Sequence, residues 1–377
     1  MKFRTDNVHL KKAQTSGEYS KTTPIYQTSA FAFKDIDDME QYFNGDKSYL
    51  YTRMGNPNTD ELGQAVAALE GAEAGVASSS GLSAILAGFL SVAKPGDHVI
   101  VAEDLYGGTF QLINEEIQGL GIRVTFMDMT KVKDVEAAIT ADTVMIYTES
   151  ITNPLLRVED LDGISALAKA HDLKLMVDNT FATPYLIRPL ENGADLVVHS
   201  ATKYIGGHSD VTAGVIVGGE ALISAARKKI VTLGSNLGPF DSWLAVRGLK
   251  TLSLRMRAQC ENAQKLSDAL RETKGIKKVY YPEHATARGN GAVVTIDLED
   301  GLDVNAFTGA LDWVKVVPTL AGVETTVSYP EGTSHRALTP EMRTRLGVTP
   351  QMIRISVGIE DPDDIVEVFV NAVTAIR

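Results

Sequence analysis

The chain has 377 residues, 44% of them hydrophobic, which is enough for two or three cooperative units with sizeable cores. Its 36 basic and 48 acidic residues give a formal net charge of −12, which argues against nucleic acid or an anionic membrane as the main partner. The single cysteine, Cys260, excludes an intramolecular disulfide, and the seven histidines show no metal-ligand spacing. We therefore expect a reducing, cytoplasmic location and no metal, and the first residues lack the apolar core of a signal peptide.

Residues 1–55 carry aromatic and turn residues without strong helical periodicity, a pattern typical of an arm that lies on another surface. Within this arm, Arg53 follows Tyr49 and Tyr51. Arginine binds phosphate bidentately, so from a mobile arm it can reach a site in a neighbouring subunit. A plain surface turn is the alternative interpretation.

Between about 60 and 235, short apolar runs alternate with helix-like patterns. The predicted strands lie in the segments DHVIVAED, RVTFMDM, TVMIYTES, LKLMVDNT and DLVVHS. This alternation predicts crossover units and a mainly parallel sheet that binds ligands at the carboxyl ends of its strands. We expect the strand-end residues to converge on one rim: Glu103, Asp104, Glu149, Ser150, Asp178, Asn179 and Ser200.

Three further segments complete the predicted organisation. Residues 75–93 are too polar at the start for a membrane span and are predicted to be a loop that enters a buried helix. Residues 241–273 show apolar residues at every third or fourth place, which predicts one long connecting helix. Strands among helices follow, as in a smaller α+β unit. The predicted domains are therefore an arm over 1–55, an α/β domain over 56–245 and an α+β domain over 246–377.

Lys203 is the first candidate for the centre of the chemistry. It leaves the end of an apolar run with Ser200 and Thr202 beside it, so an amine and two hydroxyls can face one small anionic ligand. Desolvation lowers the pKa of an amine and makes it nucleophilic. This arrangement suits a Schiff-base lysine that holds a phosphorylated aldehyde cofactor, and an ordinary surface lysine is the alternative.

Residues 78–82, three serines followed by Gly81 and Leu82, precede an apolar helix pattern. Small residues at a helix start expose backbone N–H groups, and the helix dipole adds positive potential, so the segment is a candidate phosphate or anion pocket. A serine-rich turn that only caps the helix is the alternative.

Asp178 ends the predicted strand LKLMVDNT, where a buried carboxylate needs a cationic or hydrogen-bonding partner. In a pyridoxal phosphate site that partner is the pyridine nitrogen, and an aspartate beside it raises the pKa of the nitrogen and strengthens the ring as an electron sink. A helix N-cap aspartate is the alternative.

Three more residues offer contacts to a ring or a substrate. Tyr106, after the strand DHVIVAED, can stack on a cofactor ring and offer its hydroxyl to a departing group, although a core tyrosine beside a glycine turn is more common. Asn153 offers a side-chain amide, and the dipeptide Asn153–Pro154 is otherwise only a turn. Arg354 lies amid apolar residues and either pairs with an internal carboxylate or binds a substrate carboxylate.

Eight segments, in the same order along almost the whole chain, resemble the Cys/Met-metabolism (transsulfuration) family of pyridoxal phosphate enzymes. They are YTRMGNP, SSSGLSAI, DLYGGTF, ESITNPLLRV, VDNTFATPY, HSATKYIGGHSD, RGLKTLSLRM and IRISVGIED. The resemblance implies fold type I, like aspartate aminotransferase, with a mainly parallel seven-stranded sheet in the large domain and an extended N-terminal arm. It also implies a homotetramer built as a dimer of dimers.

The resemblance also assigns roles. Lys203 would be the Schiff-base lysine and proton shuttle, Asp178 the pyridinium partner, and Tyr106 the stacking residue and proton donor to the leaving group. The remaining cofactor contacts would be Gly81, Leu82, Ser200 and Thr202 to the phosphate, Tyr51 and Arg53 from the neighbouring subunit, and Asn153 to the ring oxygen. The substrate contacts would be Thr319, Leu320 and Arg354 to the carboxylate, with Glu324 and Tyr51 also in the substrate pocket.

The family cleaves or exchanges a γ-substituent. The residues of this chain do not agree on which of these reactions it catalyses or on which substrate. Gly108 stands where methionine γ-lyases have cysteine, and Glu324 resembles the glutamate of γ-synthases and γ-lyases. Leu50, the short segment 281–292 and Ala321 also depart from the usual pattern. We predict a cystathionine or homocysteine γ-lyase that releases 2-oxobutyrate, ammonia and a thiol. Cystathionine γ-synthase with O-acetylhomoserine sulfhydrylase activity, or methionine γ-lyase, is the alternative, and α,β-elimination stays open.

A dehydrogenase and a non-catalytic protein are disfavoured. No GxGxxG fingerprint follows the first strand, as a nucleotide-binding dehydrogenase would require. A protein without catalysis would tolerate the loss of Lys203, Asp178 and Tyr106, and all three are present.

Overall fold

The computed structural model describes residues 2–10, 20–336 and 338–377. The N-terminal segment contains two short helices, α1 (Phe3–Val8) and α2 (Ile36–Phe43), and otherwise extended or irregular chain. A single bridge joins Ala30 to Tyr51. Residues 11–19 of the predicted arm lie outside the described residues, and its reach into a neighbouring subunit stays a prediction.

The central layer is a seven-stranded sheet. Its strands are β1 (Ala74–Ser78), β2 (His98–Ala102), β3 (Arg123–Met127), β4 (Thr143–Glu149), β5 (Lys174–Asp178), β6 (Leu196–Ser200) and β7 (Gly214–Gly218). They lie in the order β1-β7-β6-β5-β4-β2-β3, and every neighbouring pair is parallel except the two pairs that involve β7. The prediction of a mainly parallel seven-stranded sheet is therefore confirmed.

Helices cover this sheet, which explains why its central strands are apolar on both faces. They are α3 (Pro57–Glu70), α4 (Gly81–Val92), α5 (Gly107–Gln111) with a π-helical continuation (Leu112–Ile117), α6 (Val132–Ala137), α7 (Leu161–Ala170), α8 (Thr183–Leu186), α9 (Glu220–Leu233) and α10 (Pro239–Leu249). The five strands predicted between 60 and 235 correspond to β2 to β6.

The start of segment 75–93 was predicted to be a loop, and this prediction is wrong because residues 74–78 form β1. Its small residues are a consequence of packing. A Cβ at Gly63 in α3 would lie 2.6 Å from the Gly75 carbonyl oxygen, so helix and strand touch through their backbones. The second half of the segment forms the buried helix α4, as predicted.

The C-terminal part contains a five-stranded sheet in the order β10-β11-β12-β9-β8. Its elements are α11 (Leu252–Arg271), β8 (Ile276–Tyr280), β9 (Val293–Leu298), α12 (Val304–Gly309), β10 (Lys315–Val316), β11 (Thr326–Ser328), α13 (Pro340–Arg345), β12 (Met352–Ser356) and α14 (Pro362–Ala375). This sheet and helices α11, α12 and α14 share a second apolar core. The predicted boundaries at 55 and 245 stay predictions. In the described part of the chain, no helix has the length and apolar character needed to cross a membrane.

One long helix over 241–273 is also a wrong prediction, because the chain forms α10 and α11 with a break at Lys250 and Thr251. Thr251 has φ −106° and ψ 5°, outside helical geometry. The Gly248 carbonyl accepts hydrogen bonds from the Thr251 amide (3.1 Å), the Thr251 hydroxyl (3.0 Å) and the Arg255 guanidinium (2.9 Å). These bonds replace the regular helical ladder at this point, while the apolar spacing continues across it.

We expect Gly248→Ala to destabilise the fold, because the new Cβ would overlap the backbone of Gly206, three residues after Lys203. Overpacking of this kind costs about 1–3 kcal/mol. The thermal unfolding midpoint of the variant should fall clearly below that of the parent chain. Gly119→Ala is the matched control, because its Cβ would meet nothing within 4 Å. An equal effect of the two substitutions would contradict the packing argument.

Candidate active site

The carboxyl ends of β4, β5 and β6 meet at a cavity of about 210 Å³ between the two sheets. Its walls include residues from α4, from the turns after β2, β4 and β6, and from β12 in the second sheet. Most of the predicted site residues line it together: Gly81, Leu82, Tyr106, Asn153, Asp178, Ser200, Thr202, Lys203, Leu320 and Arg354. The expected convergence of strand ends therefore holds for the residues of β4, β5 and β6.

Lys203 lies in the turn that follows β6. Its amide donates to the Ser200 carbonyl (3.0 Å), and its Nζ donates to the Thr319 hydroxyl (2.7 Å). Burial, together with the nearby positive charge of Arg354, lowers the pKa of the Lys203 amine to about 8. A substantial fraction of this amine is therefore neutral and nucleophilic at mildly alkaline pH.

Asp178 ends β5, is partly buried and lines the cavity. One of its carboxylate oxygens accepts the Thr180 amide at 2.9 Å. Burial raises the pKa of Asp178, and the hydrogen bonds from Thr180 oppose that rise. A cation in the cavity would stabilise the ionised carboxylate, as a protonated ring nitrogen does.

The start of α4 closes one end of the cavity. Ser80 caps this helix by accepting the Ser83 amide at 3.1 Å. A Cβ at Gly81 would lie 2.7 Å from the Ser200 Cβ, so only glycine allows the helix start to approach the end of β6 this closely. Gly81, Leu82, Ser200 and Thr202 all line this end of the cavity, and a helix start beside hydroxyl residues suits an anion. The Thr202 hydroxyl is bonded to the backbone of Ala213.

Arg354 is 3% exposed and projects from β12 towards the cavity. Its Nη1 donates to the Asn153 side-chain oxygen (3.0 Å), and its Nε has no partner. No carboxylate of the described residues lies within ion-pair distance of Arg354. The sequence left open an internal carboxylate or a substrate carboxylate as its partner, and the first is excluded among the described residues. Burial lowers the pKa of this guanidinium to about 10, so a bound carboxylate would relieve an uncompensated buried charge.

Tyr106 stands at the mouth of the cavity with 43% of its surface exposed. Its backbone amide donates to Glu149 Oε1 at 2.9 Å. Glu149 received no role from the sequence beyond its place at a strand end. In the sequence, Glu149 is recognisable as a carboxylate that ends the apolar run TVMIYTE. In the structure, this run is the strand next to that of Asp178.

Four predicted residues do not line the cavity. Thr319 accepts a hydrogen bond from the Nζ of Lys203, and Glu324 lies beside Gly322. Arg53 donates to the Val231 carbonyl at 3.2 Å, and its guanidinium lies 5.7 Å from the Tyr51 ring. The positions of Tyr51 and Arg53 within one chain leave their predicted contact with a neighbouring subunit untested.

Comparisons with known proteins identify the family. The family model described as Cys/Met metabolism PLP-dependent enzyme matches residues 4–374. The chain belongs to this family, and it is an enzyme. The fold is therefore that of the type I pyridoxal phosphate enzymes.

Individual proteins resemble the chain over nearly its full length. Cystathionine beta-lyase of Lactococcus lactis subsp. cremoris (strain MG1363) is 41% identical over 376 residues, which cover 96% of each chain. The crystal structure of cystathionine gamma-lyase from Lactobacillus plantarum complexed with L-serine matches with a TM-score of 0.93 and 36% identity, covering 100% of this chain and 99% of the other. Cystathionine gamma synthase from Xanthomonas oryzae pv. oryzae in complex with cystathionine gives a TM-score of 0.94 and 33% identity, covering 100% and 98%.

The residues of the cavity fit the cofactor of this family. The amine of Lys203 suits an aldehyde, the carboxylate of Asp178 suits a ring cation, and the start of α4 suits a phosphate. The cavity therefore offers a partner for each polar part of pyridoxal phosphate.

In cofactor-free protein, the acylation rate of Lys203 should titrate with a midpoint of about 8, below the value of about 10.4 usual for exposed lysines. Arg354→Met removes a repulsive positive charge, so the midpoint for Lys203 should rise in that variant. Competitive labelling followed by peptide mass spectrometry measures both. A midpoint that stays unchanged on substitution of Arg354 would contradict the electrostatic coupling of the two cations.

Proposed function

We propose that the protein is a pyridoxal phosphate-dependent carbon–sulfur lyase that acts at the γ-carbon of cystathionine or homocysteine. The observation that carries this proposal is one cavity shared by the amine of Lys203, the carboxylate of Asp178 and the unpaired guanidinium of Arg354. The three groups match the aldehyde, the ring nitrogen and the substrate carboxylate that such a reaction brings together.

The cofactor contacts follow from the walls of the cavity. Lys203 would hold the aldehyde carbon, Asp178 would pair with the ring nitrogen, and Asn153 would contact the ring oxygen. The phosphate is held by Gly81, Leu82, Ser200 and Thr202 and, from a neighbouring subunit, by Tyr51 and Arg53. When bound, the cofactor supplies an electron sink for the electrons left by the α-proton.

The substrate contacts use the other side of the cavity. Arg354 binds the α-carboxylate together with Thr319 and Leu320, and the absence of a described carboxylate partner for Arg354 supports this role. The amine of Lys203 would be placed to remove the α-proton and then to help remove a β-proton, so that the γ-substituent can leave. Glu324 belongs to the substrate pocket in this proposal, as in γ-specific enzymes by resemblance.

Tyr106 completes the proton transfers. It would stack against the cofactor ring, and its hydroxyl would give a proton to the departing thiolate. Its place at the cavity mouth, with its backbone held by Glu149, supports access to a leaving group that extends towards solvent.

Two other reactions have specific support. The Lactococcus relative that is 41% identical is named cystathionine beta-lyase, which favours α,β-elimination as a second candidate. The Xanthomonas neighbour is a cystathionine gamma synthase, which supports γ-replacement. O-acetylhomoserine sulfhydrylase activity is the further form of γ-replacement that the sequence resemblance offers. The proposal also includes a cytoplasmic homotetramer, built as a dimer of dimers, in which each arm reaches a neighbouring site.

Incubation of the pure protein with cystathionine separates these reactions. We expect 2-oxobutyrate, ammonia and cysteine, because cleavage at the γ-carbon leaves the four-carbon fragment as the keto acid. Chromatography of the keto acids measures the outcome. Pyruvate with homocysteine would assign α,β-elimination, and synthesis of cystathionine from O-acetylhomoserine and cysteine without any keto acid would assign γ-replacement.

Two controls accompany this experiment. Lys203→Ala should release no keto acid above background. Borohydride should bleach the yellow colour of the parent protein and attach the mass of the reduced cofactor to the peptide that contains Lys203. A colourless protein without an adduct would falsify the cofactor assignment whatever the products.

We expect Gly108→Ala to impair catalysis without impairing folding. A Cβ at position 108 would lie 2.6 Å from Cε1 of the Tyr106 ring, so the ring must leave its present place over the start of α5. A displaced rotamer should lower kcat by up to about tenfold. Keto acid release and the thermal unfolding midpoint are measured together, with Gly119→Ala as control. An unchanged kcat would show that this ring position has no part in the reaction.

A further inference from the structure

Two carboxyl side chains lie next to each other on the floor of the cavity. Glu149 and Asp178 are the last residues of the neighbouring parallel strands β4 and β5, and they face each other in register. Residues paired in this way point to the same side of a sheet. Both line the cavity, although one carboxylate is sufficient to pair with a ring nitrogen.

Glu149 has a contact that Asp178 lacks. Its Oε1 accepts the backbone amide of Tyr106 at 2.9 Å, and it is 6% exposed. Tyr106 immediately precedes α5, and a Cβ at Gly107 would overlap the Ser334 carbonyl oxygen. Glu149 therefore fixes the backbone of Tyr106 through a hydrogen bond, and the close contact of Gly107 with Ser334 restricts the movement of the same segment.

The surroundings of Glu149 are acidic. Asp178, Asp104 and Glu159 all contribute negative charge near it. Burial together with Asp178 raises the pKa of Glu149 well above its ordinary value, against the opposing effect of the hydrogen bond from the Tyr106 amide. The nearby cation, Arg157, donates to Asp104 (3.0 Å) and Glu159 (2.7 Å). Within the described ranges, no cationic side chain forms an ion pair with Glu149.

Asp178 is better placed to carry the negative charge of the pair. It accepts hydrogen bonds from Thr180, whose donors favour the ionised form, and it lines the cavity in which the ring cation of the proposed cofactor would lie. Two carboxylates in contact with one dry space do not both ionise readily. One proton therefore remains on the pair. Glu149 carries it, because only the Tyr106 amide stabilises its ionised form, whereas Asp178 has two hydrogen bonds from Thr180 and the influence of His199.

We infer that Glu149 is a protonated positioning residue, whose carbonyl oxygen holds the backbone of Tyr106 at the cavity while its proton prevents repulsion with Asp178. It acts through Tyr106 and does not itself touch the reacting atoms. The catalytic part of this inference rests on the proposed function, since it assumes that Tyr106 takes part in the reaction.

Glutamine reproduces the shape and neutral charge of a protonated glutamate, so Glu149→Gln should keep kcat within about threefold of the parent value with the same pH profile. Glu149→Leu removes the acceptor and leaves a buried amide unpaired, so kcat should fall about 5- to 150-fold with a smaller change in KM. Keto acid release from cystathionine measures both. Equal losses in the two variants would overturn the inference, because they would show that the charge of Glu149 is required.

An infrared difference spectrum of the full-length protein tests the proton directly, even if Glu149→Leu does not fold. The parent protein minus Glu149→Gln, at pH 8, should show the carbonyl stretch of a carboxylic acid with a shift in deuterium oxide. Glu103→Gln is the matched control on the same rim, because Glu103 is ion-paired with Arg345 and should contribute only carboxylate bands.

Loss of a carboxylate band in Glu149→Gln, with no acid band, would overturn the inference. The spectrum does not depend on substrate turnover. Failure of the proposed reaction, seen as no keto acid from the parent protein, is therefore distinguishable from failure of the proton assignment.

Discussion

The parallel register of β4, β5 and β6 is the constraint on which the site depends. Because the strands run in the same direction, their last side chains meet at one edge, and the turns that follow them converge on the same space. Asp178, the segment with Asn153 and the turn with Lys203 all obtain their positions from this edge. A slip of one residue in β5 would turn Asp178 to the other face of the sheet.

The charges that meet at this edge do not neutralise each other. The cations of Lys203 and Arg354 and the carboxyls of Glu149 and Asp178 share one cavity, and no ion pair joins them among the residues that the structure describes. The amine of Lys203, the guanidinium of Arg354 and the carboxylate of Asp178 are thereby kept available for a ligand, while Glu149 holds the Tyr106 backbone. A cofactor and a substrate that together carry an aldehyde, a ring cation, a phosphate and a carboxylate would satisfy these groups. The protein therefore supplies one half of the charges in the site, and its ligands supply the other half.

Much of this could be predicted from the sequence, because local patterns carry the information. Apolar runs that end in Glu149, Asp178 and Ser200 mark strand ends, and residues 78–82 mark a helix start. The strands β1 and β7 were not predicted, because their apolar runs are short and contain small residues. Such residues allow close contact with distant backbone, as at Gly75, and do not produce a strand pattern in the sequence. The break at Thr251 depends on hydrogen bonds to Gly248, which leave the apolar spacing unaltered.

The electrostatic state of the site could not be predicted in the same way. That Arg354 lacks a described carboxylate partner depends on what surrounds β12 in three dimensions, and the sequence offered both outcomes. The bond between Glu149 and the Tyr106 amide joins residues 43 positions apart. The cofactor, by contrast, could be anticipated from Lys203 because several motifs in a fixed order limit the chemistry more strongly than any one residue does.

The contact between Gly63 and Gly75 has a consequence for how this architecture varies between related proteins. Helix layers normally stand off a sheet by the thickness of their side chains, but here the spacing between α3 and β1 is set by the main chain. Neither position can accept a larger residue unless the helix is lifted away, whatever the other position carries. The two glycines should therefore be retained together, or be replaced only where α3 is displaced. Their presence in a homologous protein indicates that α3 lies at the same short distance from β1.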